Sequence, residues 1–258
     1  SKFTPAEIYI QNDSVYNRVN YSPISNDSIS EDVVAVISDF NNDKLNDLLI
    51  GSGGGDFYNK MNPLKDRYFV QTDSTFSKEM MPNYFGNTSV VRPFDYDKDG
   101  DLDVFIGSYA STNDFGGDET SYLLENDKGT FTIVETPIFD NIGMLSDAVW
   151  DDFDNDGIKD LIVIGEWISP KFFKNSNGIL SEVSPVNDQL NGLWQRIQPF
   201  DIDSDGDIDY LLGNWGTNSK FKASSKYPLK MYYHDFDANG TTETIVCIEK
   251  DKNYYPLL

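Results

Sequence analysis

A nine-residue acidic motif that occurs five times, at 39–47, 95–103, 152–160, 201–209 and 235–243, constrains this chain more than any other feature. Successive motifs start 56, 57, 49 and 34 residues apart. Position one is Asp39, Asp95, Asp152, Asp201 and Asp235, and position three is Asn41, Asp97, Asp154, Asp203 and Asp237. Position five is Asp43, Asp99, Asp156, Asp205 and Asn239. Position nine is always an acid: Asp47, Asp103, Asp160, Asp209 and Glu243. Asp, Asn and Gly make good turns anywhere. Turn chemistry alone does not repeat in register five times, so each motif marks one copy of a structural unit.

The flanks read as strands. Residues 33–37 enter the first motif, and 48–50, 104–106, 161–164, 210–212 and 244–248 leave the five. Apolar runs this short, bounded by Asp and Gly, are buried strands rather than helices. The first four exit runs close on Gly51, Gly107, Gly165 and Gly213; the fifth has no such glycine. Between motifs, 121–134 and 171–180 place apolar runs around Asn-Asp and Asn-Gly turns, a strong hairpin signal. Each repeat thus offers about four strands in about 50 residues, the size of a propeller blade. The expected fold is all-β: one β-propeller domain over 1–258, with about five four-stranded blades. Residues 7–20 read as a hairpin with no motif before it. Either that hairpin completes a blade begun by 229–250 and closes the ring, or the chain is part of a larger propeller. The 34-residue spacing leaves the fourth blade short, with 218–228 as a polar loop.

Carboxylates at positions one, three, five and nine, with a backbone carbonyl from position seven (Leu45, Asp101, Ile158, Asp207, Thr241), form a cage of hard oxygens. Such a cage suits Ca²⁺ and not a softer transition metal. The loops hold no His or Cys. They are not EF-hands, which need a Glu at position twelve and flanking helices. Position twelve here is Ile50, Ile106, Val163, Leu212 and Val246.

Charge supports the same reading. The chain has 43 acidic against 20 basic residues, a net of −23. Crowded carboxylates repel one another without a counter-ion. Up to five Ca²⁺ ions are expected, chiefly in the loops at 95, 152 and 201, which have four acids and a glycine at position six. The first loop has Asn41 at position three and Lys44 at position six, and the fifth has Asn239 and the longer Glu243. These two are expected to bind more weakly. So acidic a chain is a poor partner for nucleic acid, which needs clustered cations. No window reaches 18 consecutive apolar residues, so no transmembrane segment is expected. The lone Cys247 lies in an apolar run and reads as a small buried hydrophobe. The chain starts at Ser1 with no signal-like segment, as a processed or excised chain would.

The Asp-x-Asp-x-Asp-Gly-x-x-Asp motif between strands, followed by an apolar run and Gly, resembles the FG-GAP/VCBS repeats of integrin α-like β-propellers, over about residues 30–250. The tail 228–240 also resembles bacterial VCBS-repeat proteins of the ASPIC/UnbV-related group. The resemblance implies a calcium ion in a hairpin loop of each blade. It also implies an extracellular, cell-surface or periplasmic setting, where calcium at about millimolar levels would fill loops of modest affinity. The fold does not specify the ligand.

Two readings of function follow. In the first, calcium is structural and one face of the propeller binds a protein or carbohydrate in adhesion. Tyr109, Trp167 and Trp215, just past the exit glycines, would line that face. Packing between blades is the plainer role for these aromatics. In the alternative, the chain is a propeller-type polysaccharide lyase or hydrolase, with Glu166 the candidate acid outside the loops. No catalytic residue is assigned, and no nucleophile motif is present. The single His234 reads as a packing or capping residue.

Overall fold

The structure is a computed structural model describing residues 4–55, 57, 60–117, 119–186, 190–216 and 219–257. Asn218, the first residue of the expected polar loop, lies outside the described residues; 219–228 carries no strand.

The strands fall into a series of antiparallel sheets. A hairpin of β1 (Ile8–Asn12) and β2 (Val15–Val19) is followed by a single helical turn, α1 (Ser22–Ser25). The first four-stranded sheet runs β3 (Glu31–Ser38), β4 (Asp47–Gly53), β5 (Arg67–Gln71) and β6 (Phe76–Glu79). The second runs β7 (Asn87–Phe94), β8 (Asp103–Tyr109), β9 (Tyr122–Asp127) and β10 (Thr130–Val134). The third runs β11 (Met144–Asp151), β12 (Asp160–Ile168), β13 (Lys171–Ser176) and β14 (Ile179–Val183). Two strands, β15 (Gly192–Phe200) and β16 (Asp209–Asn214), form a fourth unit, joined to the third through a short β12–β15 pairing. The last sheet is β17 (Lys230–His234), β18 (Glu243–Lys250) and β19 (Asn253–Pro256). Every sequence-predicted strand and hairpin is present, and the fourth unit is short, as its spacing predicts.

The sheets stack face to face in chain order. β3 and β4 pack on β7, β7 and β8 on β11, and β11 on β15. This stacking explains why the first three exit runs are continuously apolar rather than alternating: both faces of β4, β8 and β12 are covered. On β8, Val104 and Ile106 face Leu49 and Tyr68 of the first sheet, while Phe105 faces the third with Leu145, Leu161 and Phe173. On β12, Leu161 and Val163 point back to the second sheet, and Ile162 and Ile164 point on to Ile197. Full burial of one such side chain contributes about 1.5–3 kcal/mol. Gly51 and Gly107 sit where one sheet meets the next, whereas Gly165 lies against the Met144 backbone of its own sheet. A Cβ at Gly51 would lie 2.6 Å from Thr88 of the next sheet. At Gly213 the nearest atom is 3.7 Å away, and Leu211 beside it is 61% exposed, so the outward face of β15–β16 is uncovered among the described residues.

Of the two expected arrangements of the ends, the described residues do not show the one in which the N-terminal hairpin closes the ring. The β1–β2 hairpin is a separate two-stranded sheet and does not complete the one containing 229–250. Ile8 of the hairpin and the flanking Ala6 and Tyr21, with Ile24 of α1, cover Leu48, Ile50 and Phe69 on the outer face of the first sheet. The β17–β19 sheet is held against the segment between β8 and β9. There Thr242 N–H donates to Asn113 O (2.9 Å) and Thr244 Oγ1 to Phe115 O (2.9 Å). The described architecture is a β-propeller-like arc of stacked sheets. No helix in it is long and apolar enough to cross a membrane.

Candidate metal loops and the opposite end

Each acidic motif is the connection from the first to the second strand of its sheet. Position nine opens the second strand and pairs with the residue just before position one: Ser38 with Asp47, Phe94 with Asp103, Asp151 with Asp160, Phe200 with Asp209 and His234 with Glu243. The motif is thus a hairpin loop between strands, and the EF-hand geometry is absent.

Within the loop, backbone N–H groups turn the carboxylates inward. Position one accepts the N–H of position six in all five loops, at 2.8–3.1 Å. The carboxylate or amide oxygen of position five accepts the N–H of position seven, at 2.8–2.9 Å. Positions four and six are left-handed throughout. Gly100, Gly157, Gly206 and Gly240 meet this at position six without strain, whereas Lys44 takes φ 74 at a cost of roughly 1 kcal/mol or more.

Position nine does more than complete a cage. In four loops its carboxylate accepts the N–H of position two, from Phe40, Tyr96, Ile202 and Phe236, and so latches the loop shut. In the first three loops its other oxygen, or the same group, takes an N–H from the third strand: Gln71, Asn126 and Asn175, at 2.7–2.9 Å. Asp47, Asp103 and Asp160 are fully buried. Burial raises the Asp160 carboxyl above its ordinary value and pushes Asp103 up to about 7. A nearby cation would reverse that shift.

The loops fit a hard cation on two observations. Asp95 Oδ1 and Asp160 Oδ2 are buried with no hydrogen-bond partner, although such groups normally have one. Oxygens of Asp95, Asp97 and Asp99, of Asp152, Asp154 and Asp160, of Asp201, Asp203 and Asp209, and of Asp235, Asp237 and Glu243 each converge within 4.8 Å. That is the span of two ligands at a Ca–O distance of about 2.3–2.6 Å. The first loop is different. Its Asp39, Asp43 and Asp47 are not among the convergent groups, and the Asn41 amide, in place of a carboxylate, donates to Asp43 (3.0 Å). The third loop carries its own cation: Lys174 Nζ bonds Asp154 and lies 2.9 Å from Asp156, raising the lysine pKa and lowering that of Asp156.

Four residues missed at the sequence level tie the loops together. Asn42 donates to Asp101, and Asn155 to Asp207 (2.8 Å), so position four of one loop bonds position seven of the next. Asn126 Nδ2 reaches back to Phe40 O (2.8 Å) of the preceding loop and to Leu102 O (3.0 Å) of its own. Asn175 repeats this with Tyr96 O (2.8 Å) and Lys159 O (3.2 Å). The available signal was the pair Asn126…Gly129 and Asn175…Gly178, two Asn-x-x-Gly turns following successive motifs.

Antiparallel pairing sends Tyr109, Trp167 and Trp215 to the end away from the first four loops, as Asn87↔Tyr109 lies opposite Phe94↔Asp103 along the same strand pair. Tyr109 OH donates to Glu166 Oε2 (2.8 Å), and its ring meets Phe115 edge-on at 6.3 Å. Gln195 Nε2 donates to the other oxygen of Glu166 (2.8 Å), so this buried acid bridges neighbouring sheets. Trp167 has φ 64, a conformation that a bulky residue adopts only where its surroundings impose it. Trp215 is 45% exposed and packs on Phe221 at 5.6 Å. His234 is exposed and packs edge-on against Phe236, and Cys247 is buried. The fifth loop, tied to Asn113, lies at this same end.

Two cavities open there. One of about 420 Å³ is lined by Val33, Asn87, Tyr109 and Phe115. The other, of about 350 Å³, lies at the seam of the first two sheets and combines aromatic and charged groups.

Residues 95–163 and 152–212 match the FG-GAP-like repeat family in two overlapping stretches, which take in the second, third and fourth loops. The chain therefore carries FG-GAP-like repeats, and the match does not extend to the 228–240 tail. A solved lectin from Agrocybe aegerita, described for its specific recognition of non-reducing terminal N-acetylglucosamine, superposes with a TM-score of 0.52. It is 14% identical, and the alignment covers 99% of this chain and 74% of that one. At that identity the likeness concerns the fold. No curated protein sequence matches the chain at a significant level.

Proposed function

We propose that this chain is a calcium-loaded β-propeller module that binds a glycan or protein outside the cytoplasm, with calcium structural rather than catalytic. The observation that carries the reading is the repeated loop, whose inward carboxylates include the unpartnered buried oxygens of Asp95 and Asp160. Positions one, three, five and nine would hold the ion. When bound, Ca²⁺ supplies the positive charge that lets several carboxylates share one hairpin loop. The setting follows from affinity: such loops fill where calcium is about millimolar.

Ligand binding belongs at the opposite end, where the cavities, Trp215 and the backbone-strained Trp167 lie. The lectin of similar fold makes carbohydrate the first ligand class to test. In the polysaccharide-degrading alternative, Glu166 would act as an acid whose two oxygens accept hydrogen bonds from Tyr109 and Gln195.

The test is a glycan array probed with the calcium-loaded protein, with N-acetylglucosamine-terminated glycans included. Selective, EDTA-sensitive binding is expected. Release of reducing ends or unsaturated products from polysaccharides would overturn the non-catalytic reading.

A further inference from the structure

We propose that the cavity at the seam of the first and second sheets is a binding site for one neutral or amino-sugar residue at the end of a glycan. The proposal rests on the binding-module reading above and names where it acts and on what. The cavity, of about 350 Å³, falls within the size range of small-molecule sites. Its lining includes the two features that sugar recognition needs. Phe85 and Tyr122 supply aromatic surface for the apolar face of a pyranose. Asn83, Lys60, Asp114 and Glu119 supply donors and acceptors for ring hydroxyls.

The site is built rather than incidental. Tyr122 packs on Tyr84 with ring centroids 4.8 Å apart and donates its hydroxyl to Phe85 O (3.2 Å), fixing the aromatic wall. Lys65 Nζ stands 5.0 Å from the Phe85 ring centre and orders that side chain. On the acidic wall, Glu119 Oε1 accepts Ser111 N–H (2.9 Å) and Asp114 Oδ1 accepts the Thr242 hydroxyl (2.5 Å). Desolvation raises the Glu119 carboxyl above its ordinary value, so water is already partly excluded from this wall. Pre-placed polar groups of this kind reduce the ordering a ligand must impose.

Charge sets the ligand class. Asp114 and Glu119 face the cavity in a chain of net charge −23, with Lys60 the one cation of its lining among the described residues. A uronate, sialyl or sulfated residue would meet like charge, whereas a neutral or amino sugar would not.

The experiment uses saturation-transfer-difference NMR and titration calorimetry on the calcium-loaded protein, with a panel of neutral, amino, N-acetylated, uronic and sulfated mono- and disaccharides. The variants are Phe85→Ala, Asn83→Ala and Trp215→Ala, each checked by circular dichroism. Asn83 is exposed, so its variant keeps the test valid if Phe85→Ala misfolds. A neutral or amino sugar is expected to bind, with affinity at least about tenfold weaker in the two cavity variants than in the unaltered protein. Loss in Trp215→Ala with both cavity variants unaffected would overturn this site and leave the binding-module reading intact. Preference for the anionic sugars would overturn the charge argument. No binding by any saccharide would overturn the site along with the glycan form of the reading.

Discussion

Replacing Asn126 with alanine should destabilise the fold by roughly 3 kcal/mol, independently of metal. The side chain is fully buried and makes three bonds. Nδ2 donates to Phe40 O (2.8 Å) and Leu102 O (3.0 Å), and Oδ1 accepts Gly129 N–H (2.7 Å). At about 1 kcal/mol net for each bond, and more where a buried partner stays unsatisfied, the loss reaches that total. For a chain of this size it corresponds to a drop of roughly 6–12 °C in Tm. The assay is urea unfolding followed by tryptophan fluorescence in saturating calcium, so that loop occupancy does not vary. Asn42→Ala serves as the contrast. Its bond to Asp101 is also between sheets but its side chain is exposed, so its loss should stay under about 1 kcal/mol. If Asn126→Ala costs no more than Asn42→Ala, the idea that this asparagine clamps the first two sheets together is wrong.

Four further outcomes are expected. Gly178→Ala, at φ 84 and with a Cβ that would lie 2.9 Å from the Asp97 Cβ, should lower stability by about 1–3 kcal/mol and disturb the second loop, as a melt and a calcium titration would show. Buried Asp66 should titrate at about 6 rather than 3.8 in a carbon-detected NMR experiment, and a midpoint below 4.5 would contradict its burial. Because the folded state holds this proton more tightly, its contribution of ~3 kcal/mol is full below about pH 4 and is lost as pH rises through about 6. Lys174→Gln should tighten calcium binding at the third loop, since the lysine competes for Asp154 and Asp156; unchanged affinity in calorimetry would rule out that competition. Thr242→Val, which removes the hydroxyl bonded to Asp114, should weaken saccharide binding at the seam cavity without lowering the calcium content of the other four loops.

Much of this molecule could be read from its sequence because backbone geometry demands particular residues. The left-handed sixth position of each loop calls for Gly or a strained substitute such as Lys44, and strands covered on both faces call for unbroken apolar runs such as Val104–Ile106. The rest was hidden for a physical reason: local pattern does not say which neighbour a unit meets. Asn126 and Asn175 look like ordinary turn residues until a second sheet brings Phe40 O and Tyr96 O within reach. The fifth motif is well formed locally, yet its sheet is fastened to the 113–115 segment rather than closed by the N-terminal hairpin. Glu166 reads as a free acid beside a tryptophan, whereas Tyr109 and Gln195 from flanking sheets engage both its oxygens. The seam cavity draws its lining from segments spread between Phe57 and Ile133, a grouping that no spacing rule reveals.

Metal analysis of the purified protein, paired with a thermal melt in calcium and in EDTA, decides whether the acidic loops are structural calcium sites. Three or more bound calcium ions are expected, with a large fall in Tm on chelation that is restored by adding calcium back. A metal-free protein with the same melt in both conditions would contradict that role.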